Sequence, residues 1–552
     1  MQPNNKKLAI WLPLIVAVAF AGGIWLGLGM SHTGSRNSSA QNKVSRILDT
    51  ISSLYVDEVN TDSLLEASIP DIIAKLDPHS MYIPASDLQQ VNEELDGSFS
   101  GVGISFTVVS DTIIVNEVIS GGPAQKVGLM PGDRIVTIND SVAIGENWPQ
   151  QRILKTLRGA KGSEVVLGIM RPSAPGKIYP YTVVRGDIPL TSIDASYMLD
   201  DNTGYVKVNK FGRNTYDEFF TSLVELSREG ANRYIVDLRG NTGGFMEIAV
   251  LMANEFLPRG ANIVSIKGRG PESNNSTFAD GTGSFLNSEL VVLIDEISAS
   301  SSEIFAGAIQ DNDRGLVVGR RSFGKGLVQR QFDMPDSSAL RLTTARYYTP
   351  SGRCIQKHYD LGATEDYELD LLQRMNNGET LSADSVKLDR SKTFYTLTGR
   401  EVYGGGGIMP DIFVPTDTSG YSKYYFNVMN AGLLHKFAFN YVDANRAALL
   451  EAADTDELLD LLPSDLELLS KFVIYASNEA KIPLQWYYIN ISRNLLVSQL
   501  KALIARDLFG IEGYYEVINP TDNTVNRALE LLDNGSAGFP ITSNATTEPE
   551  ES

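Results

Sequence analysis

The chain has 552 residues, of which 43% are hydrophobic, and this size and composition are typical of a protein with several globular domains. It carries 47 basic and 67 acidic residues, and the resulting net charge of −20 argues against nucleic-acid binding through phosphate contacts. With one cysteine, Cys354, the chain excludes an intrachain disulfide and a zinc site built on several cysteines.

The N-terminal segment predicts a membrane anchor. Residues 8–30 are an uncharged run of 23 residues, and a helix of that length spans about 35 Å, enough to cross a bilayer. Lys6 and Lys7 precede the run, so the positive-inside rule places residues 1–7 in the cytoplasm. We therefore expect a single-pass signal anchor in the inner membrane, with the rest of the chain exported to the periplasm or another extracytoplasmic space. A cleaved signal peptide is the alternative, but no clear Ala-x-Ala site follows the run.

The next two segments predict a linker and a helical region. Residues 31–42 are rich in Ser, Asn and Gly, which is typical of a tether. Residues 43–96 contain Ile47, Leu48, Ile51 and Leu54 at helical spacing, so we expect helices there.

Residues 97–187 predict a small β-rich domain with about five strands and two short helices. Near its start lies Gly101-Val102-Gly103-Ile104, and a GGPA turn and a GLMPGD run follow. The segment resembles a PDZ domain, and the four residues match the carboxylate-binding loop of that family. Successive backbone N–H groups in such a loop can cradle a terminal carboxylate, while the peptide adds as a strand to a sheet edge. A glycine-containing hairpin without a ligand is the alternative.

The remainder of the chain predicts a larger α/β domain and a helical region. In residues 188–415 apolar strands alternate with amphipathic helices, which indicates βαβ units around a mostly parallel sheet. Residues 357–402 interrupt this alternation with charged sequence and are interpreted as an insertion. Residues 416–534 are helical, and apolar stripes such as that of residues 494–508 predict core packing or a homo-oligomer contact. Residues 535–552 are predicted to be disordered.

A serine cluster and one lysine carry the chemistry. Ser298, Ser300, Ser301 and Ser302 stand between an apolar strand, residues 290–294, and a predicted helix. A nucleophile at a helix N-terminus lies near N–H donors that stabilise an oxyanion. The residues alone do not choose among the four serines, and such a cluster commonly serves as a helix cap.

Lys325 is the candidate general base. It lies between two glycines and among apolar residues, where burial would disfavour its charged form. A structural ion pair is the alternative. Gln329, four residues later, can orient the amine without adding a charge that would keep it protonated.

These motifs resemble the C-terminal processing peptidases, also called tail-specific proteases. The similarity extends over about residues 44–414. Besides the active-site run ISASSSEIFAGAIQ…GLVVG…SFGKGLVQ and the PDZ-like unit, it rests on LDPHSMYIP (residues 76–84), VDLRGNTGG (236–244), RYYTPSGRCIQ (346–356) and GIMPDI (407–412).

The resemblance implies a role for each site residue. The serine 25 positions before the lysine, Ser300, is the implied nucleophile, Lys325 the general base and Gln329 the residue that orients it. The backbone N–H of Ser301 and one from Gly243 or Gly244 are the implied oxyanion donors. No metal or organic cofactor is implied.

The implied fold is an α/β protease core of the ClpP/crotonase-like type with ββα repeats, beside the PDZ domain and helical terminal regions. The implied function is that of a serine endopeptidase which cleaves proteins near the C-terminus and selects apolar tails through the PDZ domain. Two alternatives are a catalytically inactive, membrane-tethered PDZ scaffold and an acyl-CoA enzyme of related fold.

Overall fold

The computed structural model describes residues 39–109, 112–143, 148–171, 174 and 176–535. The chain divides into two compact units, residues 1–73 and 74–552. The first unit contains two described helices, α1 (Ser39–Leu54) and α2 (Thr61–Ile73). The predicted membrane segment, residues 8–30, and the predicted disordered tail from residue 536 onward lie outside the described residues. Within the described ranges, no helix combines the length and apolarity that crossing a bilayer requires.

The second unit begins with a strand that the sequence pattern did not predict. Strand β1 (Met81–Ile83) precedes helix α3 (Ala85–Asp96), so the region expected to be helical is helical only in part. The strand pairs antiparallel with Ala339–Arg341. Because its partner lies some 250 residues away, no local periodicity reveals it.

Residues 98–189 form an antiparallel β structure with two short helices. The strands pair in the order β3-β4-β5-β7-β8, with β6 beside β5 and a separate pair β2–β9. The strands are β2 (Ser98–Gly101), β3 (Ile104–Val109), β4 (Thr112–Val118), β5 (Arg134–Ile138), β6 (Ser141–Val142), β7 (Glu164–Met170), β8 (Ile178–Val184) and β9 (Gly186–Pro189), and the helices are α4 (Pro123–Lys126) and α5 (Gln150–Leu157).

A six-stranded sheet forms the centre of the larger α/β domain. Its order is β10-β11-β12-β15-β16-β21; β10 and β11 are antiparallel and all other pairs are parallel, as predicted. The strands are β10 (Ile193–Met198), β11 (Thr203–Val208), β12 (Arg233–Asp237), β15 (Glu289–Ile294), β16 (Leu316–Gly319) and β21 (Ile412–Phe413). The connecting helices are α6 (Thr215–Glu229), α7 (Met246–Asn254) and α8 (Ser301–Asp311).

Both faces of this sheet are buried, which explains its nearly continuous apolar strands. In β12, Tyr234 and Val236 pack with the helices α6, α7 and α8, whereas Ile235 points to the opposite face. There it meets Val525 and Leu532 from helix α16 (Asn523–Asp533). The alternation follows from the two-residue period of a strand. The C-terminal helix is therefore part of the core of the α/β domain.

A second, antiparallel sheet flanks the first. Its order is β1-β18-β13-β14, and β17 also pairs with β18. These strands are β13 (Asn262–Gly268), β14 (Asn275–Phe278), β17 (Leu327–Asp333) and β18 (Ala339–Tyr348). The predicted insertion contributes helix α9 (Thr364–Asn376) and the hairpin β19 (Thr393–Tyr395) with β20 (Glu401–Tyr403).

The C-terminal region is helical, as predicted, and has its own apolar core. Its helices are α10 (Lys423–Asn430), α11 (Leu433–Leu449), α12 (Thr455–Leu461), α13 (Asp465–Ala480), α14 (Trp486–Ile491), α15 (Arg493–Ile518) and α16. Helix α15 bends at Gly510, whose φ is 77°. Leu496, Leu500 and Leu503 in the predicted stripe are buried in this core. The predicted oligomer contact, the domain boundaries and the ClpP/crotonase-like assignment remain predictions.

Candidate active site

The structure distinguishes one of the four clustered serines. Ser300 stands between β15 and α8 with φ 55° and ψ −112°, a conformation that is strained for a residue other than glycine. Its side chain lines an open cleft. The hydroxyls of the other three serines donate to backbone carbonyls: Ser298 to Leu238, Ser301 to Gly244 and Ser302 to Asn241. Ser300 is therefore the member of the cluster that is placed for chemistry.

Lys325 reaches the same cleft from the loop between β16 and β17. The preceding Gly324 has φ 91°, and a Cβ there would lie 3.1 Å from the backbone nitrogen of Gly407, so the loop requires glycine. Burial lowers the pKa of the Lys325 amine below its usual value. The carboxylates of Glu303 and Asp77 oppose that shift of the pKa, and the positive charge of Arg341 reinforces it.

Glu303 connects the serine and the lysine. Its carboxylate is fully buried, and Oε2 accepts the backbone N–H of Ser300 at 2.9 Å and that of Lys325 at 2.8 Å. The other oxygen, Oε1, accepts the Ser322 hydroxyl and the N–H of Gly324. Burial raises the pKa of the Glu303 carboxyl, while these hydrogen bonds act in the opposite direction. One carboxylate thus fixes both backbone segments that carry the candidate dyad.

Tyr347 makes a second connection between the same two segments. Its buried hydroxyl lies 3.0 Å from the carbonyl oxygen of Ser300 and 2.5 Å from that of Lys325. The backbones on both sides of the cleft are therefore held by donors and acceptors from the protein interior, which keeps the site rigid.

The glycine turn after β12 packs directly against the serine. A Cβ at Gly243 would lie 2.8 Å from Cβ of Ser300 and 3.0 Å from the nitrogen of Ser301, so only glycine fits. The N–H of Gly243 donates to the side-chain oxygen of Asn241 at 2.8 Å. For the N–H groups of Gly244 and Ser301, the described part of the chain contains no hydrogen-bond acceptor. These two groups are thus available to a bound oxyanion.

The predicted catalytic residues converge on one cleft of about 820 Å³. Ser300, Lys325, Gln329, Gly243 and Gly244 line it. The backbone of Ser301 lies directly behind Ser300 at the start of α8.

The Gln329 amide donates to the Thr343 hydroxyl at 3.3 Å, and that hydroxyl donates to Asp77 at 3.0 Å. Asp77 also accepts the backbone N–H groups of His79 and Ser80, both at 2.9 Å. The LDPHS turn thereby supports the strand that carries Gln329.

Four further residues of the site were not singled out from the sequence: His79, Glu303, Arg341 and Tyr347. His79 lines the cleft, and burial together with the positive charge of Lys325 lowers its pKa to about 4. Glu303 directly follows the serine cluster, and its local sequence pattern is that of a helix cap. The motifs LDPHSMYIP and RYYTPSGRCIQ, which contain His79 and Tyr347, were the available signals for those two residues.

The predicted carboxylate-binding loop lies in the PDZ-like unit and is not part of the cleft. The carbonyl of Val102 accepts the N–H of Ala124 at 2.8 Å, and that of Gly103 accepts the N–H of Ile119 at 3.1 Å. The loop leads into Ile104 and β3, which among the described strands of its sheet pairs only with β4. The other edge of β3 therefore has no strand partner among the described residues.

Comparison with known proteins adds three family matches. The profile of peptidase family S41 matches residues 202–369, and that of the PDZ domain matches residues 90–170. A family of unknown function, DUF8443, matches residues 424–510 in the helical region.

Individual proteins that are similar to this chain are named as proteases. A probable CtpA-like serine protease of Staphylococcus haemolyticus is 30% identical over 364 residues, which are 64% of this chain and 72% of the relative. The carboxy-terminal processing protease CtpB of Bacillus subtilis is 32% identical over 332 residues, 59% of this chain and 68% of the relative. Among solved structures, the photosystem II D1 C-terminal processing protease matches with 28% identity and a TM-score of 0.32, covering 58% of this chain and 91% of that one. The chain belongs to peptidase family S41 and is a serine protease of the carboxy-terminal processing type with a PDZ domain.

Proposed function

We propose that this serine protease cleaves proteins near their C-terminus through an acyl-enzyme, with Ser300 as nucleophile and Lys325 as general base. The observation that carries the proposal is the shared anchoring of the two backbones at Glu303, at the edge of one cleft. A strained serine and a partly buried lysine held together in this way are the parts that a Ser–Lys mechanism requires.

The reaction begins with neutral Lys325, which burial favours. The amine takes the proton from the Ser300 hydroxyl, and the serine oxygen attacks the carbonyl carbon of the scissile peptide bond. Collapse of the tetrahedral intermediate breaks the C–N bond, and the Lys325 ammonium gives its proton to the leaving amine. Lys325 then takes a proton from water, whose oxygen attacks the ester; a carboxylic acid leaves and Ser300 regains its proton.

The developing oxyanion needs two preorganised donors. We assign the N–H groups of Ser301 and Gly244, because that of Gly243 already donates to Asn241. The Ser301 N–H also stands at the positive end of α8, whose dipole favours negative charge.

Gln329 would orient the lysine. Its amide nitrogen is engaged with Thr343, so the amide oxygen is the group that remains to accept a hydrogen bond from Lys325. A neutral amide can do this without the electrostatic penalty that a carboxylate would impose on deprotonation of the amine.

The PDZ domain would select the substrate. The N–H groups of Val102, Gly103 and Ile104 are proposed to bind the terminal carboxylate. The apolar tail would lie beside β3 as an additional strand of the sheet. The open edge of β3 and the fixed carbonyls of the loop support this assignment.

The location of the enzyme is a separate proposal. The uncharged run at residues 8–30 and the preceding Lys6 and Lys7 support a single-pass anchor with an extracytoplasmic protease. The mass of the native N-terminus tests it, because a chain that starts near Ser31 has lost the segment. A homo-oligomer through the C-terminal helices is likewise proposed, and light scattering of the purified protein would detect it.

The function is tested with a protein substrate that ends in an apolar tail. Ser300→Ala and Lys325→Arg should each abolish cleavage, since arginine cannot lose its proton usefully. Ser276→Ala and Lys267→Arg, exposed residues of the second sheet, are matched controls that should retain it. Full activity of either cleft variant would contradict the role assigned to that residue. Converting the substrate's C-terminal carboxylate to an amide should weaken binding if the PDZ domain reads it.

A further inference from the structure

The catalytic cleft is basic although the chain is strongly acidic. Among the described residues that line it, Arg213 and Arg341 carry positively charged side chains, Lys325 adds a positive charge only while it is protonated, and none is aspartate or glutamate. The whole chain has a net charge of −20. A cleft whose sign opposes that of the rest of the molecule concentrates anionic groups of a ligand.

Arg341 is the side chain in the cleft that is best placed to bind such a group. In the sheet it stands opposite Met81 of β1 on one side and Gln331 of β17 on the other. Its guanidinium donates to the side-chain oxygen of Gln331 at 3.0 Å, which is a neutral partner. Within the described ranges, no carboxylate lies within ion-pair distance of it. Arg341 is half-buried, so its guanidinium has lost part of its hydration, and this burial also lowers its pKa.

A partly desolvated arginine normally pairs with a carboxylate, because burying an unpaired charge is unfavourable. The Gln331 bond uses one of the five N–H donors of the guanidinium, so a bidentate pair of donors remains for a ligand. Gln331 also donates its own amide to Asp333, which fixes the amide oxygen toward Arg341. The arginine is thus held in position but has no anionic partner among the residues that the structure describes.

We propose that Arg341 is a specificity-determining residue that binds a carboxylate of the substrate within the catalytic cleft. The proposal rests on the proposed protease function and adds a second carboxylate site to that of the PDZ domain. The carboxylate has two sources in a peptide: an Asp or Glu side chain near the scissile bond, or the C-terminal carboxylate of the substrate. Both offer the two coplanar oxygens that match the guanidinium.

The test compares matched peptides. One cleavable peptide is prepared with Glu or with Gln at each successive position around the scissile bond, and each version is made with a C-terminal acid or a C-terminal amide. The Glu/Gln and acid/amide ratios of kcat/KM are measured for the wild type and for Arg341→Gln. Because Arg341 also influences the pKa of Lys325, its loss alters the rate with every peptide, and the ratios cancel that common effect.

We expect the wild type to prefer the carboxylate by about tenfold or more in one arm, and Arg341→Gln to reduce that ratio to near one. Arg330→Gln is the matched control, since Arg330 is an exposed neighbour on β17 outside the cleft lining, and it should keep the preference. If the Glu/Gln arm shows the preference, a further peptide with Lys at that position should be cleaved better than the Glu peptide by Arg341→Glu. If Arg341→Gln lowers the Glu/Gln ratio, Arg341 binds an acidic side chain of the substrate. If it lowers the acid/amide ratio, Arg341 binds the C-terminal carboxylate.

Equal rates for carboxylate and amide peptides in the wild type would overturn the proposal without any variant. So would Glu/Gln and acid/amide ratios that are both unchanged in Arg341→Gln, because recognition would then lie elsewhere, and at the PDZ domain in the case of the acid/amide ratio. Failure of the protease mechanism would give a different result. If Ser300→Ala still cleaved all peptides, the mechanism would be contradicted, whereas the ratios of kcat/KM would still decide whether Arg341 binds a carboxylate.

Discussion

Ser300 and Lys325 donate their backbone N–H groups to the same atom, Oε2 of Glu303. The two residues come from different connections of the α/β domain, one before α8 and one before β17. A single buried carboxylate therefore fixes the backbone segments of the proposed nucleophile and base relative to each other, and a proton can pass between the two side chains only within hydrogen-bond reach.

Glu303 should be essential for both geometry and stability. Removing it as Glu303→Ala leaves two buried and two partly buried donors without an acceptor, and we expect a loss of about 3 kcal/mol or more in the free energy of unfolding. Glu303→Gln keeps the volume but offers one acceptor oxygen, so kcat should fall at least tenfold with a smaller loss of stability. Denaturant unfolding and kcat measure the two effects.

Glu296→Gln is the control for these variants, because Glu296 lies in the same connection but pairs with Arg320 at 2.7 Å. It should change kcat little. If Glu303→Gln kept wild-type kcat, the carboxylate would not be what positions the dyad.

The rate should increase with pH through the ionisation of Lys325. Burial lowers the pKa of this amine, and the neutral form is the base, so kcat/KM rises as the proton is lost and levels off above that pKa. The midpoint should lie below the usual pKa of lysine, about 10.4. Arg341→Gln removes a positive neighbour and should move the midpoint to higher pH, whereas Arg330→Gln should not.

His79 offers an independent check on that assignment. Its pKa is lowered to about 4, so it is already neutral above about pH 5 and cannot produce a midpoint at higher pH. A pH profile of His79→Gln should keep the midpoint of the wild type. A midpoint that disappears in this variant would assign the titration to the histidine instead of the lysine.

The C-terminal helix should support catalysis from behind the sheet. Asp522 caps α16 through the N–H groups of Thr524 and Val525, and it pairs with Arg239 at 2.8 Å at the start of the glycine turn. Asn also caps helices well, so Asp522→Asn removes the ion pair and keeps the cap. We expect kcat to fall about threefold to tenfold, with a change in unfolding free energy of about 1 kcal/mol or less.

Asp533→Asn is the matched control at the other end of the same helix, where Asp533 pairs with Arg233 at 2.8 Å, away from the glycine turn. Its kcat should equal that of the wild type. Equal losses of kcat in both variants would show that the helix acts through general stability and not through the turn.

The backbone at Ser300 should store strain that glycine relieves. With φ at 55°, a residue with a Cβ is held in a region that costs about 1–3 kcal/mol. Ser300→Gly should therefore be more stable than Ser300→Ala by about 1 kcal/mol, while both variants lack activity. Thermal or denaturant unfolding of the two variants measures the difference. If Ser300→Gly were less stable than Ser300→Ala, the claim that the backbone at Ser300 is strained would be wrong.

The site was predictable where it depends on local motifs and unpredictable where it depends on distant packing. The spacing of Ser300 and Lys325 and the apolar strand before the serine are local features, and the structure brings both residues to one cleft. Glu303 stands in an apolar helical run, and its four hydrogen bonds come mainly from a loop some twenty residues later. Nothing in the local pattern separates it from a helix cap.

The fold likewise has parts that the local sequence predicts and parts that depend on distant packing. Alternating strands and helices predicted the parallel sheet, because each βαβ unit is nearly continuous in sequence. The pairing of β1 with β18 and the packing of Val525 and Leu532 under the sheet join segments hundreds of residues apart. Arg341 belongs to this group, since its place in the cleft follows from strand register with β1 and β17.

Mass spectrometry of the trapped acyl-enzyme tests the central claim most directly. Acid quenching of the protease during turnover of a peptide substrate, followed by peptide mapping, should locate the acyl group on Ser300. Lys325→Met, in which the base is absent, should show no adduct while it remains folded and is about 1 kcal/mol more stable, because it no longer buries an amine. An acyl group on any other residue, or an equal yield of adduct in Lys325→Met, would contradict the mechanism.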